Sequence, residues 1–212
     1  MISRIKNLLK YRDLVCSIHI PKCGGTSFRH TLFNEYNSSL FTEYGTPREQ
    51  RQNKINIKKS HRCIHGHIVY RAYKDVLDHS KKITFMRDPV FRTISLYYDI
   101  KSHKRLGKLA KFVYKNNPSI VEFAEHPLAI NYGLQCIGHY NPNQFSFIGI
   151  LEQYEKSIKT CSRKLGWSEK VKIIHINEGY HESSFEKKIY NHIKELNNEE
   201  FEWYKHAKKL LE

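Results

Sequence analysis

Residues 14–28, Leu-Val-Cys-Ser-Ile-His-Ile-Pro-Lys-Cys-Gly-Gly-Thr-Ser-Phe, constrain the fold more than any other stretch of the chain. The run from Leu14 to Ile20 is apolar and strand-like, and it empties into Pro21-Lys22-Cys23-Gly24-Gly25. Thr26 and Ser27 then open residues 26–36, which read as a helix. Strand, glycine turn, helix start is an arrangement that holds a phosphate. Glycines let the backbone come close, N–H groups point at the anion, and the helix start adds partial positive charge. Lys22 adds a full charge, and the two hydroxyls add donors. In the common nucleotide loop the lysine follows the glycines. Here it precedes them, so the ordinary ATP/GTP loop is excluded.

Alternation downstream sets the fold class. Residues 40–44 read as a short strand inside an otherwise loop-like stretch, 38–59. Residues 63–69 read as a strand and 70–77 as a short helix. Residues 82–86 form a buried-looking strand and 89–104 a helix. Short helices are expected at 119–126 and 128–137, with the basic stretch 101–115 a solvated helical face or loop. A strand at 145–151 precedes a helix at 153–165, residues 171–176 are a further candidate strand, and 183–196 and 199–211 carry helical spacing. Strands alternating with helices predict an α/β fold: a P-loop-type parallel sheet of about four to five strands flanked by helices. Ligands of such sheets bind at the carboxyl ends of the strands, which gathers Lys22, the 65–67 region and Arg87 on one rim. With 212 residues and no long linker, a single domain over 1–212 is expected.

A second segment carries chemistry: Ile83-Thr84-Phe85-Met86-Arg87-Asp88-Pro89-Val90-Phe91-Arg92-Thr93-Ile94-Ser95-Leu96-Tyr97-Tyr98. Arg87 falls at a strand end, where a guanidinium can grip a phosphate bidentately. Pro89 suits the first turn of a helix, and Ser95 follows about two turns along. Together, Pro-Lys-x-Gly-Gly-Thr-Ser and Arg-Asp-Pro-x-x-Arg-x-x-Ser-x-Tyr resemble the two cofactor motifs of sulfotransferases that use 3′-phosphoadenosine 5′-phosphosulfate (PAPS). His65-Gly66-His67 lies between them and is similar to a segment of the uronyl, heparan-type 2-O-sulfotransferases. The Phe-Ile-Gly-Ile-Leu-Glu run at 147–152 resembles the family's last core strand.

The resemblance implies the sulfotransferase fold, PAPS as donor, 3′,5′-adenosine bisphosphate (PAP) as product and no metal. It implies that Lys22, Cys23, Gly24, Gly25, Thr26 and Ser27 hold the 5′-phosphosulfate, and that Arg87 and Ser95 hold the 3′-phosphate. Lys22 then also supplies the charge on the departing phosphate oxygen; plain phosphate binding is its other reading. Cys23 reads as a small filler, and Asp88 and Arg92 as braces of the turn and helix. His67 is implied as general base, with His65 orienting the acceptor. Imidazole suits proton removal at neutral pH. Glu35 is a second candidate base. Residues 131–138 faintly resemble an acceptor-site segment, with Gln135 where the family has arginine.

From the residues alone, His61, Cys63, His65 and His67 alternate, so a strand would project all four from one face. Zinc is one reading of such a set, although residues two apart on a strand stand about 7 Å apart. Unremarkable histidines are another, in a chain with 13. The formal charge of +15 implies a polyanionic partner or a generally basic source proteome. The resemblance implies a carbohydrate or glycolipid acceptor, which the charge allows to be polyanionic. No RNP-type aromatic motif or zinc-finger spacing supports nucleic acid. Five scattered cysteines without a CxxC favour a reducing compartment, no stretch suits a membrane span, and a cytoplasmic bacterial or viral enzyme is expected. A nucleotide kinase and a basic glycan-binding module on a degenerate core are the rival readings.

Overall fold

The computed structural model describes residues 11–52, 57–138, 140–168, 171–175 and 186–212. Five strands, β1 (Val15–Ile18), β2 (Leu40–Glu43), β3 (Cys63–Gly66), β4 (Lys81–Met86) and β5 (Phe147–Ile150), form one sheet in the order β2-β3-β1-β4-β5. Every pairing is parallel. The α/β parallel-sheet expectation holds. All residues of β1, β3 and β5 are buried, whereas the edge strand β2 is half-exposed. Strands covered on both faces read as continuous apolar runs, which is why these segments are legible.

The helices are α1 (Gly25–Tyr36), α2 (Pro47–Gln52), α3 (Tyr70–His79), α4 (Pro89–Ser102), α5 (Lys108–Asn116), α6 (Ile120–Glu125), α7 (Tyr132–Ile137), α8 (Tyr154–Leu165), α9 (Lys187–Leu196) and α10 (Asn198–Leu211). Among the described residues, none is long and apolar enough to cross a membrane. The main core lies between the sheet and its helices. A second apolar cluster, with Leu96, Ile100, Leu109, Val113 and Phe123, packs α4 against α5 and α6.

Three expectations change. The stretch 38–59 contains α2, whose start is a reciprocal cap: Thr46 N donates to Glu49 Oε2 at 2.6 Å and Glu49 N to Thr46 Oγ1 at 3.3 Å. Residues 171–175 are not a strand, because β-propensity alone supplies no partner edge; residue 176, and residues 183–185 of the expected helix, lie outside the described residues. Finally, β3 ends at Gly66, so His61 and His67 flank the strand rather than belong to it.

The register builds the rim. Ile18 pairs with Gly66 on one side and Thr84 on the other, so the chain leaves β1, β3 and β4 at adjacent points. A Cβ on Gly66 would stand 1.7 Å from the Glu43 carbonyl oxygen; only glycine lets β2 and β3 approach so closely there. At the start of α4, Asp88 Oδ1 accepts from Val90 N at 2.9 Å and Phe91 N at 3.3 Å. An aspartate cap followed by proline at the first helical position fixes this helix start.

Candidate active site

A cleft of about 1270 Å³ opens at the carboxyl ends of the strands. Lys22, Gly24, Gly25, Thr26, Ser27, Arg87, Ser95 and His67 all line it. Thus a loop after β1, the end of β4 with α4, and the residue after β3 converge on one space. Gly24 has φ of 77° and caps α1, and a Cβ there would meet Leu151 at 2.6 Å. The first-turn N–H groups of a helix have no partner within it, and here the residues bearing them line the cleft.

Lys22 has φ of 69°, a left-handed conformation uncommon outside glycine. From that turn its Nζ donates to Asp99 Oδ1 at 2.9 Å. Arg105 donates to the same carboxylate through Nε, 2.7 Å from Oδ2, and through Nη2, 2.8 Å from Oδ1. Burial would raise Asp99, but the bonds and charges of Arg105 and Lys22 outweigh it, so the carboxyl titrates below its usual range. Arg87 leans over the loop, with Nη1 3.5 Å from the Lys22 carbonyl oxygen.

One side of the cleft is a cluster of rings. His19 follows β1, and its ring lies 4.7 Å from that of His67 and stacks on His65 at 5.5 Å. The Tyr44 hydroxyl and His19 Nδ1 are hydrogen-bonded at 3.1 Å, and the Arg29 guanidinium sits 5.8 Å from the Tyr44 ring centre. His67 is exposed to the cleft, and its backbone N–H donates to the Glu43 carbonyl at 2.9 Å. Desolvation at the wall, then the Arg105 charge, lowers its pKa from the ordinary histidine value. A neutral imidazole facing the cleft can accept a proton at neutral pH.

A model of the sulfotransferase family matches residues 8–207. The chain belongs to the sulfotransferase family. Among solved structures it is similar to a sulfotransferase from Alicyclobacillus acidocaldarius, at 12% identity and TM-score 0.49, covering 94% of this chain and 96% of that one. It is also similar to mouse sulfotransferase SULT7A1 complexed with PAP, at 15% identity and TM-score 0.44, covering 92% of this chain and 70% of that one. No curated protein matches the sequence.

In this sulfotransferase several residues stand elsewhere than expected. His65 is only 1% exposed and does not line the cleft. Its Nδ1 is hydrogen-bonded to Ser17 Oγ at 2.8 Å, and its ring reaches the cleft through the lining rings of His19 and Tyr44. Direct orientation of an acceptor by His65 therefore gives way to a supporting position under the wall. The Cys23 side chain is buried at 1% exposure and does not line the cleft, as suits a filler; only its backbone belongs to the loop. His61 stacks on Phe41 at 5.3 Å and its Nδ1 accepts from Lys58 N at 3.0 Å, while Cys63 is sealed in the core. The alternating four do not share one site. Among the described residues no three His, Cys, Asp or Glu side chains gather as a metal set. Glu35 does not line the cleft, whereas Tyr132 and Gln135 do. His19, Tyr44, Asp99 and Arg105 were not singled out from sequence.

Burial holds the His65 pKa down at about 3, and His19 is lowered well below 6.5 by desolvation and the neighbouring positive groups. An unfolded chain protonates both near 6.5, so as pH falls below about 6.5 it binds more protons than the folded one, down to about pH 3 in the case of His65. Stability from these groups is complete above about 6.5 and falls as pH falls, by at most about 1.4 kcal/mol per pH unit for each histidine. Urea unfolding at pH 7 and pH 5 is expected to show this loss, and His65→Asn to shrink it. Equal pH dependence in that variant would contradict the assignment.

Proposed function

We propose that the chain moves a sulfuryl group from PAPS to a hydroxyl of a carbohydrate or glycolipid acceptor by in-line transfer. The observation that carries this reading is the convergence of the loop lysine and glycines, Arg87 with Ser95, and His67 on one cleft. The donor set fits a nucleotide with phosphates at two positions. A helix start with Lys22, Thr26 and Ser27 suits the 5′ side, and a guanidinium with a serine hydroxyl suits the 3′ side. The cleft volume exceeds that of an ordinary small-ligand pocket, leaving room for an acceptor beside the donor.

PAPS supplies an activated sulfuryl group. Sulfuryl transfer resembles phosphoryl transfer in needing little covalent help, so positioning and charge stabilisation carry the catalysis. Lys22 sets positive charge where the phosphate oxygen departs. Gly24, Gly25, Thr26 and Ser27 cradle the 5′ end, while the Cys23 N–H is taken by the Ile20 carbonyl. His67 takes the proton of the attacking hydroxyl, and His19 and His65 brace its ring. Incubation with radiolabelled PAPS and a panel of neutral and anionic glycans and glycolipids tests this: label is expected on a saccharide, in step with PAP release. PAP release with label transferred only to non-sugar hydroxyls would overturn the carbohydrate assignment.

A further inference from the structure

Asp99 belongs to neither phosphate-loop motif, yet it sits between two of the cations that line the cleft, Lys22 and Arg105. It is one helical turn beyond Ser95 on α4, and 11% of its side chain is exposed. Lys22 reaches it from the loop after β1, Arg105 from the segment after α4, and the His103 ring nitrogen lies 3.6 Å from Oδ1. Asp99 Oδ1 thus takes hydrogen bonds from both Lys22 and Arg105, while Oδ2 takes one from Arg105 alone. Two cations sharing one carboxylate oxygen repel each other, and either can leave without stranding the charge, because the other still pairs it.

We infer that Asp99 is a positioning residue that competes with the donor's 5′-phosphate for Lys22, so that donor entry transfers the ammonium from carboxylate to phosphate while Arg105 keeps the carboxylate paired. The inference rests on the donor reading above. A lysine ammonium has three N–H donors, but while a carboxylate stands 2.9 Å from it that anion offsets part of the charge a phosphate in the glycine loop would feel. The carboxylate therefore sets how much of the lysine charge the donor receives, and it sets the direction from which the lysine arrives.

The competition has an unusual signature: removing a hydrogen-bonded side chain from the site should strengthen binding. Calorimetric titration with PAP is done on the wild type, Asp99→Asn, Lys22→Ala and the double variant. Asp99→Asn, which keeps the shape, is expected to tighten PAP by roughly two- to five-fold, the range of a partly exposed ion pair. In the Lys22→Ala background the same change is expected to do nothing. A gain of equal size in both backgrounds would mean a general field effect and would overturn the inference, as would weaker binding by a folded Asp99→Asn. Asp99→Ser, checked for an unchanged melting temperature, repeats the comparison should the asparagine variant fold poorly. Failure of the wild type to bind PAP strikes the donor reading instead, and so is told apart from failure of the competition.

Discussion

Replacing His67 with alanine is expected to lower turnover by about 10²–10⁴-fold, the usual contribution of a positioned acid–base group, and to leave PAP affinity within about twofold. The two halves of the result belong together. His67 stands on the wall made by His19 and Tyr44, with the His19 ring packed against Gly25 of the glycine loop. The His67 backbone is fixed by the close pass of β2 over Gly66, so truncation removes the ring without disturbing the strand ends. Desolvation and Arg105 lower its pKa, so the acidic limb of kcat/KM should lie below the ordinary histidine value of about 6.5. Arg105→Gln removes a positive charge that disfavours the imidazolium, so the limb should move to higher pH. An alanine variant that keeps wild-type turnover would remove His67 from the chemistry and return attention to the other rings of the cluster.

Glu200→Ala is expected to cost about 3–5 kcal/mol of folding stability, the penalty for stranding one partner of a buried ion pair. That is a large share of the roughly 5–15 kcal/mol that holds a domain folded. Arg92 and Glu200 are 0% and 1% exposed. Arg92 Nε donates to Glu200 Oε1 at 2.6 Å and its Nη2 to Oε2 at 3.2 Å, and Gly133 N donates to Oε2 at 2.9 Å. The pair ties α10 to α4, the helix that carries Ser95 and Asp99, and to α7, which carries Tyr132 and Gln135 into the cleft. Truncation leaves a guanidinium in the core and an amide without its acceptor. Replacing both partners together, Arg92→Met with Glu200→Leu, should recover most of the loss, because no buried charge is then stranded. Urea unfolding at pH 7 measures both. A loss under about 1 kcal/mol for the single change, the worth of a surface pair, would show that the pair does not hold these helices together.

What could be read from the sequence was what is local. The glycine loop and the cap at Asp88-Pro89 are built from neighbours in the chain, so their residue types announce them. The strands read clearly because burial on both faces makes them continuous apolar runs. The helix α2 was legible too, since Thr46-Pro47-Arg48-Glu49 is a capping box with proline at the first position, but a proline and five polar residues hide it behind their composition. Asp99 carried a signal as well: it lies four residues after Ser95, and so on the same helical face. The histidine wall is different. Alternation pointed to His61, Cys63, His65 and His67, but the parallel register of β1 and β3 supplies His19 in place of His61 and Cys63. Register is a long-range property, and no local pattern states it. The same holds for Glu200, which meets Arg92 across 108 positions of chain.

The most direct test of the account is calorimetric binding of PAP and AMP to the wild type and to Arg87→Ala. Two separate phosphate grips predict that PAP binds at least about tenfold tighter than AMP, and that Arg87→Ala weakens PAP by about 1.5–3 kcal/mol, the worth of a charge-assisted bond, while barely changing AMP. Equal affinity of the wild type for the two nucleotides would contradict the account, since the grip assigned to Arg87 and Ser95 would then contribute nothing.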